Sequence, residues 1–236
     1  MDLPARALVV GAHPDDADFG AGGLVALWAA AGCEVTVVCV SDGDGGGFDD
    51  ALPRDEVPRL RQAEQRAAAA ALGARDCAFL GRPDGLVTAD SDLRRDLARL
   101  IRQRRPEAVV THSPERSYRF VYLSHPDHLA TGAAVLAAVY PDARNAFAFP
   151  ELRDEGLAPW EVAQVWLFGG PQDDTAVDVT DVFDAKVAAC EAHQSQAPML
   201  NRSVRDELVD GLGRTAHEHG LVAGRLAEAY LVVDTR

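Results

Sequence analysis

Short apolar runs, each followed by a longer helical segment, organise the first part of the chain. The run over 34–40 is rich in Val and does not alternate strictly, which is typical of a strand buried on both faces. Alternating strands and helices predict a parallel sheet with helices on both faces, a Rossmann-like α/β fold. The predicted strands cover 7–12, 34–40, 77–80 and 107–111, and the predicted helices cover 16–31, 59–72, 91–104 and 127–138.

The pattern becomes less regular after residue 140. Runs at 162–168 and 176–179 predict short strands, which a Gly-Gly-Pro turn at 169–171 would join as a hairpin. Further segments predict helices to about 193 and over 204–217, and a final strand over 229–233. We expect one domain over 1–236, with a Rossmann-like core at about 1–140 and a C-terminal elaboration at 141–236 that covers the sheet edge.

The negative charge of the chain argues against two classes of partner. The net charge is −14 and the pI is about 4.8, which argues against nucleic acid and against an anionic membrane surface. No apolar run approaches the roughly 20 residues of a spanning helix, and no signal peptide is visible. The four cysteines form no C-x-x-C pair. Buried free thiols and a cytoplasmic location are therefore expected.

A polar cluster follows the first predicted strand directly: His13, Pro14, Asp15 and Asp16. In open α/β sheets, ligands bind at the carboxyl ends of the strands. One aspartate would serve as a helix cap, but this explains neither the imidazole nor the second carboxylate. The glycines that follow do not form the dinucleotide-binding G-x-G-x-x-G pattern. The turn therefore offers metal ligands and an acid or base.

A second cluster repeats this chemistry at 125–128, His-Pro-Asp-His, where another helix begins. Right-handed crossovers place residues 11–18, 41–47 and 112–128 at one edge of the sheet. A catalytic zinc site needs three protein ligands and one open position, and histidine and aspartate suit it. Two alternatives stay open: a Rossmann-like binding module, and a metal-dependent esterase or phosphoesterase, whose sites often hold two metals.

The paired motifs resemble the PIG-L/LmbE family of zinc-dependent N-deacetylases, which includes mycothiol-pathway, bacillithiol-pathway and antibiotic-tailoring sugar deacetylases. Two further patterns resemble family helices: Arg61-x-x-Glu64 with Leu72-Gly73, and Lys186-x-x-Ala189-x-x-x-His193-x-Ser195-Gln196. The resemblance implies a hydrolase with one zinc ion per chain. It would remove an N-acyl group, in particular acetyl, from a small-molecule amino sugar conjugate. It also suggests a homo-oligomer, a trimer or a hexamer.

The resemblance also implies roles for individual residues. Asp15 would be the general base, His125 would stabilise the oxyanion or donate a proton, and Asp127 would orient His125. The implied metal ligands are His13, Asp16 and His128.

Substrate contacts are expected from three segments at the same edge. Arg61 is by composition a solvated helix position, and the resemblance makes it a candidate substrate contact. Asp42 lies in the glycine-rich loop 41–47, and Tyr122 lies in the long loop 112–124. We expect His193 to be a structural, hydrogen-bonded histidine.

Overall fold

One mixed sheet forms the centre of the protein, for which a computed structural model describes residues 3–46, 52–118, 121–199 and 202–236. Within these residues the strands are β1 (Arg6–Gly11), β2 (Glu34–Ser41), β3 (Asp76–Arg82), β4 (Ala108–His112), β5 (Gln164–Phe168), β6 (Thr175–Asp178) and β7 (Ala227–Asp234). Their order across the sheet is β3-β2-β1-β4-β5-β7-β6. The first five strands in this order are parallel.

Helices cover both faces of the sheet, as expected for a parallel core. Alternate positions of β1 enter different cores: Val9 packs with one set of helices, and Leu8 and Val10 with the other. The α/β fold class is confirmed. The helices are α1 (Asp16–Ala30), α2 (Val57–Ala71), α3 (Ser91–Arg104), α4 (Pro126–Ala137), α5 (Pro150–Asp154), α6 (Phe183–Glu191) and α7 (Val204–Glu218).

The C-terminal part extends the sheet instead of forming the expected hairpin. β5 joins β4 in parallel, β7 lies antiparallel to β5, and β6 pairs with β7 at the outer edge. The hairpin prediction is therefore wrong. The eight-residue β7 matches the apolar positions of β5, with Val165 opposite Val233 and Leu167 opposite Leu231, whereas the short, half-buried β6 suits an edge.

A buried ion pair ties this C-terminal part to α1. Nζ of Lys186 lies 2.7 Å from Oε1 of Glu228, and the lysine is fully buried. The same Nζ donates to the carbonyls of Asp18 and Phe19. Glu228 accepts the backbone N–H of Gly23 and of Leu24. The pair therefore fixes α1, the helix whose first residue is Asp16.

The four cysteines are free thiols, as expected. Cys33, Cys39 and Cys190 are buried, whereas Cys77 is half-buried. No helix within the described ranges is long and apolar enough to cross a membrane.

Candidate metal centre

Three side chains from two separate turns meet at the carboxyl edge of the sheet. Nδ1 of His13 lies 3.3 Å from Nε2 of His128 and 3.3 Å from Oδ2 of Asp16. Nε2 of His128 lies 3.2 Å from Oδ1 of Asp16. The structure thus brings together the three side chains expected to bind a metal, although their motifs stand more than 100 residues apart in the chain.

Close backbone approach makes this meeting possible. Gly11 ends β1, and a Cβ there would lie 2.9 Å from Cβ of Asp16. A Cβ at Gly132 would collide with the carbonyl oxygen of His112, so α4 lies tightly against the end of β4. At the start of α4, Nδ1 of His125 accepts the N–H of Asp127, and Pro126 occupies the first turn, where proline is favoured. The second turn is thereby fixed beside the first.

Hydrogen bonds on the far side of each imidazole orient its lone pair toward the common point. Nδ1 of His128 lies 3.2 Å from the carbonyl of Leu123, a group that only accepts, so this nitrogen carries the proton and Nε2 keeps its lone pair. Nε2 of His13 lies 3.2 Å from Asp127 and 3.1 Å from Asp84, so it donates and Nδ1 is left as a ligand. Metal-binding histidines are commonly oriented in this way.

The electrostatics of the cluster favour a cation. Burial lowers the pKa of His13, but the carboxylates of Asp127, Asp16 and Asp84 outweigh it and raise that pKa to about 12. Burial opposes ionisation of Asp16, yet the imidazoles of His128 and His112 hold its pKa well below the usual range. Negative charge concentrated around one imidazole attracts a proton or a metal ion.

The donor set fits a tetrahedral divalent ion. Ligand atoms about 2.0–2.1 Å from a tetrahedral zinc lie roughly 3.3–3.4 Å from one another. Nδ1 of His13 and Nε2 of His128 lie 3.3 Å apart, which matches this spacing. Each of the two nitrogens also lies 3.2–3.3 Å from one oxygen of the Asp16 carboxylate, His13 from Oδ2 and His128 from Oδ1. Two imidazoles and a carboxylate are also the ligand types of catalytic zinc sites.

Asp15 lies beside this centre but its carboxylate points to Arg61. Oδ2 of Asp15 lies 2.9 Å from Nη2 of Arg61. Asp15 is the N-cap residue of α1, yet its side chain makes no capping hydrogen bond, so the capping alternative fails for it. Burial and the neighbouring charge of Asp16 raise the pKa of Asp15 to about 6, against the opposing charge of Arg61. Such a carboxylate is well suited to accept a proton near neutral pH.

His125 keeps one ring nitrogen available. Since its Nδ1 accepts the N–H of Asp127, the neutral ring carries its proton on Nε2. Within the described residues, Nε2 has no hydrogen-bond partner. Its ring centroid lies 4.9 Å from that of His13 and 5.3 Å from that of His128. Burial and the charges of those two histidines lower the pKa of His125, which favours the neutral ring.

The structure corrects the expected contact of Asp127. Its carboxylate lies 3.2 Å from Nε2 of His13 and accepts the N–H groups of Gly85 and Val87. What reaches the ring of His125 is the backbone N–H of Asp127. The side chain of Asp127 is therefore placed to orient His13 rather than His125, because the N–H groups of Gly85 and Val87, after β3, hold its carboxylate beside His13.

The three expected substrate contacts lie in different environments. Arg61 is 3% exposed, and its guanidinium donates to Asp15, Pro14 and Gly43, so it holds the site together instead of facing a substrate. The Asp42 carboxylate accepts from Gln62. Tyr122 is 72% exposed on the 3-10 helix Val121–Ser124, directly before His125. Residues 119–120 of that loop, and residue 47 of loop 41–47, lie outside the described residues.

Two residues near the centre, His112 and Asp84, were not predicted as site residues. Nε2 of His112 lies 3.1 Å from Oδ2 of Asp16, and its ring stacks on His128 with centroids 4.1 Å apart. Asp84 contacts His13 from the turn after β3. Each stands at the carboxyl end of a strand, and this position is the signal that would have identified them. His193, in contrast, is a buried histidine bonded to Asp18, as expected.

Comparisons with known proteins agree with the fold and with an enzyme. A mostly parallel α/β sheet that gathers histidines and aspartates at its carboxyl edge is typical of α/β enzymes with a metal site. The model of the PIG-L family, described as GlcNAc-PI de-N-acetylase, matches residues 8–139. The chain belongs to the PIG-L family, and the resemblance drawn from its two motifs is confirmed.

Similar proteins cover most of the chain. The 1D-myo-inositol 2-acetamido-2-deoxy-alpha-D-glucopyranoside deacetylase 1 of Saccharopolyspora erythraea is 32% identical, over 84% of this chain and 80% of that protein. The structure of N,N'-diacetylchitobiose deacetylase from Pyrococcus horikoshii has a TM-score of 0.86 and 26% identity, covering 99% of this chain and 88% of that one. A 4-carboxy-2-hydroxymuconate hydratase from Pseudomonas putida has a TM-score of 0.79 and 28% identity, covering 98% and 97%.

Proposed function

We propose that this protein is a zinc-dependent hydrolase that removes an N-acetyl group from an amino sugar conjugate. The observation that carries the proposal is the convergence of His13, Asp16 and His128 at mutual distances of 3.2–3.3 Å, with Asp15 beside them. The chain's membership of a de-N-acetylase family and its similarity to two sugar deacetylases support the reaction. The products are a free amine and acetate.

Hydrolysis of an amide needs a nucleophile, stabilisation of the oxyanion and a proton for the leaving amine. His13, Asp16 and His128 would hold a zinc ion, which when bound would supply an activated water and polarise the carbonyl. The other residues bind protons and stabilise charge. Asp84 and Asp127 hold the ring of His13, so that Nδ1 is turned toward Asp16 and His128.

Asp15 acts as the general base in this proposal. Its carboxylate is 19% exposed and therefore open to solvent on one side, while Arg61 fixes the other side. Asp15 accepts the proton of the attacking water. It then holds that proton for the leaving nitrogen.

His125 acts as a hydrogen-bond donor to the reacting group. The N–H of Asp127 fixes its tautomer, so Nε2–H is the group that can donate. Placed beside His13 and His128, it stabilises the developing oxyanion by a hydrogen bond, and the proton for the amine comes from Asp15. Asp42 and Tyr122, at the same edge of the sheet, are proposed to contact the sugar. A trimer or hexamer and a cytoplasmic location stay predictions.

A hydratase is the second candidate, because the Pseudomonas putida enzyme shares the fold at 28% identity. A binuclear esterase or phosphoesterase is less favoured. Within the described residues, three groups of side chains could hold a metal ion: His13 with His125 and His128, Asp16 with His112 and His128, and His13 with Asp84 and Asp127. Each of these groups contains His13 or His128, and the match to a de-N-acetylase family favours an amide hydrolase over the binuclear alternatives.

A substrate panel tests the proposal. Zinc-loaded protein would be assayed for amine release from N-acetylglucosaminyl-inositol, diacetylchitobiose and N-acetylglucosamine conjugates with acidic aglycones. In parallel, 4-carboxy-2-hydroxymuconate would be followed by its ultraviolet absorbance, and a nitrophenyl phosphate and an ester would report the other activities. Amine release from at least one conjugate, abolished by a chelator, is expected. Turnover of the muconate alone would favour the hydratase.

A further inference from the structure

The backbone of Asp15 adopts an unusual conformation. Its φ is 112° and its ψ is −31°, a region that residues other than glycine rarely occupy. Residues persist in such conformations only when the surrounding structure holds them there. The position matters because Asp15 and Asp16 are adjacent yet must face different partners. Whatever fixes this peptide also sets the direction of the proposed base.

One contact to this backbone comes from Gln65 on α2. The N–H of Asp15 donates to Oε1 of Gln65 over 2.8 Å. Gln65 is completely buried. Since a backbone N–H can only donate, the amide end that faces it must be oxygen, and the NH2 group of Gln65 must point the other way.

The NH2 group of Gln65 points to a buried carboxylate. Nε2 of Gln65 donates to Oδ2 of Asp18 over 2.7 Å. The same oxygen lies 2.8 Å from Nε2 of His193, which follows α6. Asp18 is completely buried and His193 is 2% exposed. The orientation of the Gln65 amide is therefore fixed from both ends.

The segment that carries His193 is itself anchored to α2. Glu64, next to Gln65, accepts both the N–H and the hydroxyl of Ser195, at 2.8 and 2.7 Å. The chain of bonds from His193 through Asp18 and Gln65 to the Asp15 N–H thus has rigid support at its far end. Between the N–H of Asp15 and the carboxylate of Asp18, the glutamine side chain supplies one acceptor and one donor. A glutamate would face Asp18 with a second carboxylate. A methionine would supply no donor and only a weak acceptor.

We infer that Gln65, oriented by Asp18 and His193, is a positioning residue that holds the backbone of Asp15 so that its carboxylate faces the water to be deprotonated. The inference rests on the proposed role of Asp15 as base. Within the described residues, Gln65 bonds to Asp15, Asp18 and Cys39 and makes no hydrogen bond to His13, Asp16 or His128. Its loss should therefore disturb the chemical step while metal binding and substrate binding persist.

The test compares Gln65→Met with Thr235→Val. The control also removes one hydrogen bond, that from the Thr235 hydroxyl to the carbonyl of Val162 at 2.6 Å, at the opposite edge of the sheet. For Gln65→Met we expect kcat to fall by about 10- to 100-fold, the range for a slightly misplaced catalytic group. KM and the zinc Kd should stay within about threefold. Thr235→Val should lower the melting temperature and leave kcat unchanged.

A second readout needs no substrate, so it separates this inference from the proposed function. Amide hydrogen exchange of the zinc-loaded protein should show the Asp15 N–H exchanging at least tenfold faster in Gln65→Met than in wild type or in Thr235→Val. If the wild type hydrolysed no amide yet this difference appeared, the positioning contact would stand and the proposed function would fail. Unchanged exchange in Gln65→Met would overturn the inference.

A rescue variant completes the test. Gln65→Glu places a carboxylate against Asp18 and should lower kcat. Combining it with Asp18→Asn places an NH2 group where Oδ2 of Asp18 lies. One of its hydrogens can reach the carboxylate at position 65, and the other can reach Nε2 of His193 in the tautomer protonated on Nδ1. The double variant should be at least fivefold more active than Gln65→Glu alone. Equal or lower activity, or a parallel loss of zinc and kcat in Gln65→Met, would contradict the positioning role.

Discussion

Asp15 and Asp16 are chemically identical neighbours, and replacing each by asparagine should have opposite consequences. Asp16 presents Oδ1 to His128 and Oδ2 to His13, at 3.2 and 3.3 Å. An amide at this position loses the negative charge. The amide would also place its NH2 group at one of two positions. At the position of Oδ1 it would occupy the Nε2 lone pair of His128, and at the position of Oδ2 it would face the backbone N–H of His13, which that oxygen now accepts. We expect zinc affinity to fall more than 100-fold, beyond the 10–100-fold typical of outer contacts.

Asp15→Asn should retain the metal and lose the base. The amide oxygen can still accept from Nη2 of Arg61, so the shape of the turn is kept. An amide does not accept a proton usefully at neutral pH. Turnover at saturating zinc should therefore fall by about 10²–10⁴, the usual contribution of general acid–base catalysis, equivalent to about 2.7–5.5 kcal/mol of activation free energy.

The two variants would be compared by zinc titration against a competing chelator and by amine release at rising zinc. Excess zinc should partly restore Asp16→Asn but leave Asp15→Asn inactive. Asp142→Asn is a matched control, since Asp142 is also buried and paired with an arginine, Arg94, outside the site. It should cost stability without changing zinc affinity or turnover. Rescue of Asp15→Asn by zinc would show that the two roles are exchanged.

Three further variants test other parts of the structure. His125→Ala should keep its zinc and lose about 10²–10⁴ in turnover; loss of zinc in this variant would make His125 a ligand. Asp127→Asn should weaken zinc binding by about 10–100-fold through His13, and an unchanged zinc Kd would contradict the contact seen here. Lys186→Met leaves Glu228 buried and unpaired and should cost about 3–5 kcal/mol in urea unfolding. The exposed ion pair of Arg75 with Glu34 serves as the control, since Arg75→Met should change stability far less. Equal losses of stability in the two variants would contradict the importance of burial for the Lys186 pair.

The core strands could be predicted because their sequences carry local signals. β2 is a run of apolar, mostly β-branched residues, and it is buried on both faces, as such a run predicts. The two polar turns at 13–16 and 125–128 were also predictable, since each concentrates its imidazoles and carboxylates within four residues. Short spacing makes the chemistry visible without any knowledge of the fold.

Contacts between distant segments could not be predicted in the same way. His112 and Asp84 each stand alone in sequence, one ending a strand and one in an ordinary Pro-Asp-Gly turn. The direction of the Asp127 carboxylate depends on where the turn after β3 lies. Likewise, β7 lies between β5 and β6 because it pairs with both strands, although it is distant from both in the sequence. These features follow from tertiary packing, which single-sequence patterns do not record.

The most direct test of the central claim is a zinc titration of metal-free protein, followed by amine release from the N-acetyl amino sugar conjugate it hydrolyses. We expect no activity without metal and a linear rise in activity that ends at one zinc ion per chain. Asp16→Asn should show no such endpoint at the same concentrations. Activity in the metal-free protein, or a maximum reached only at two ions per chain, would contradict a single catalytic metal held by His13, Asp16 and His128.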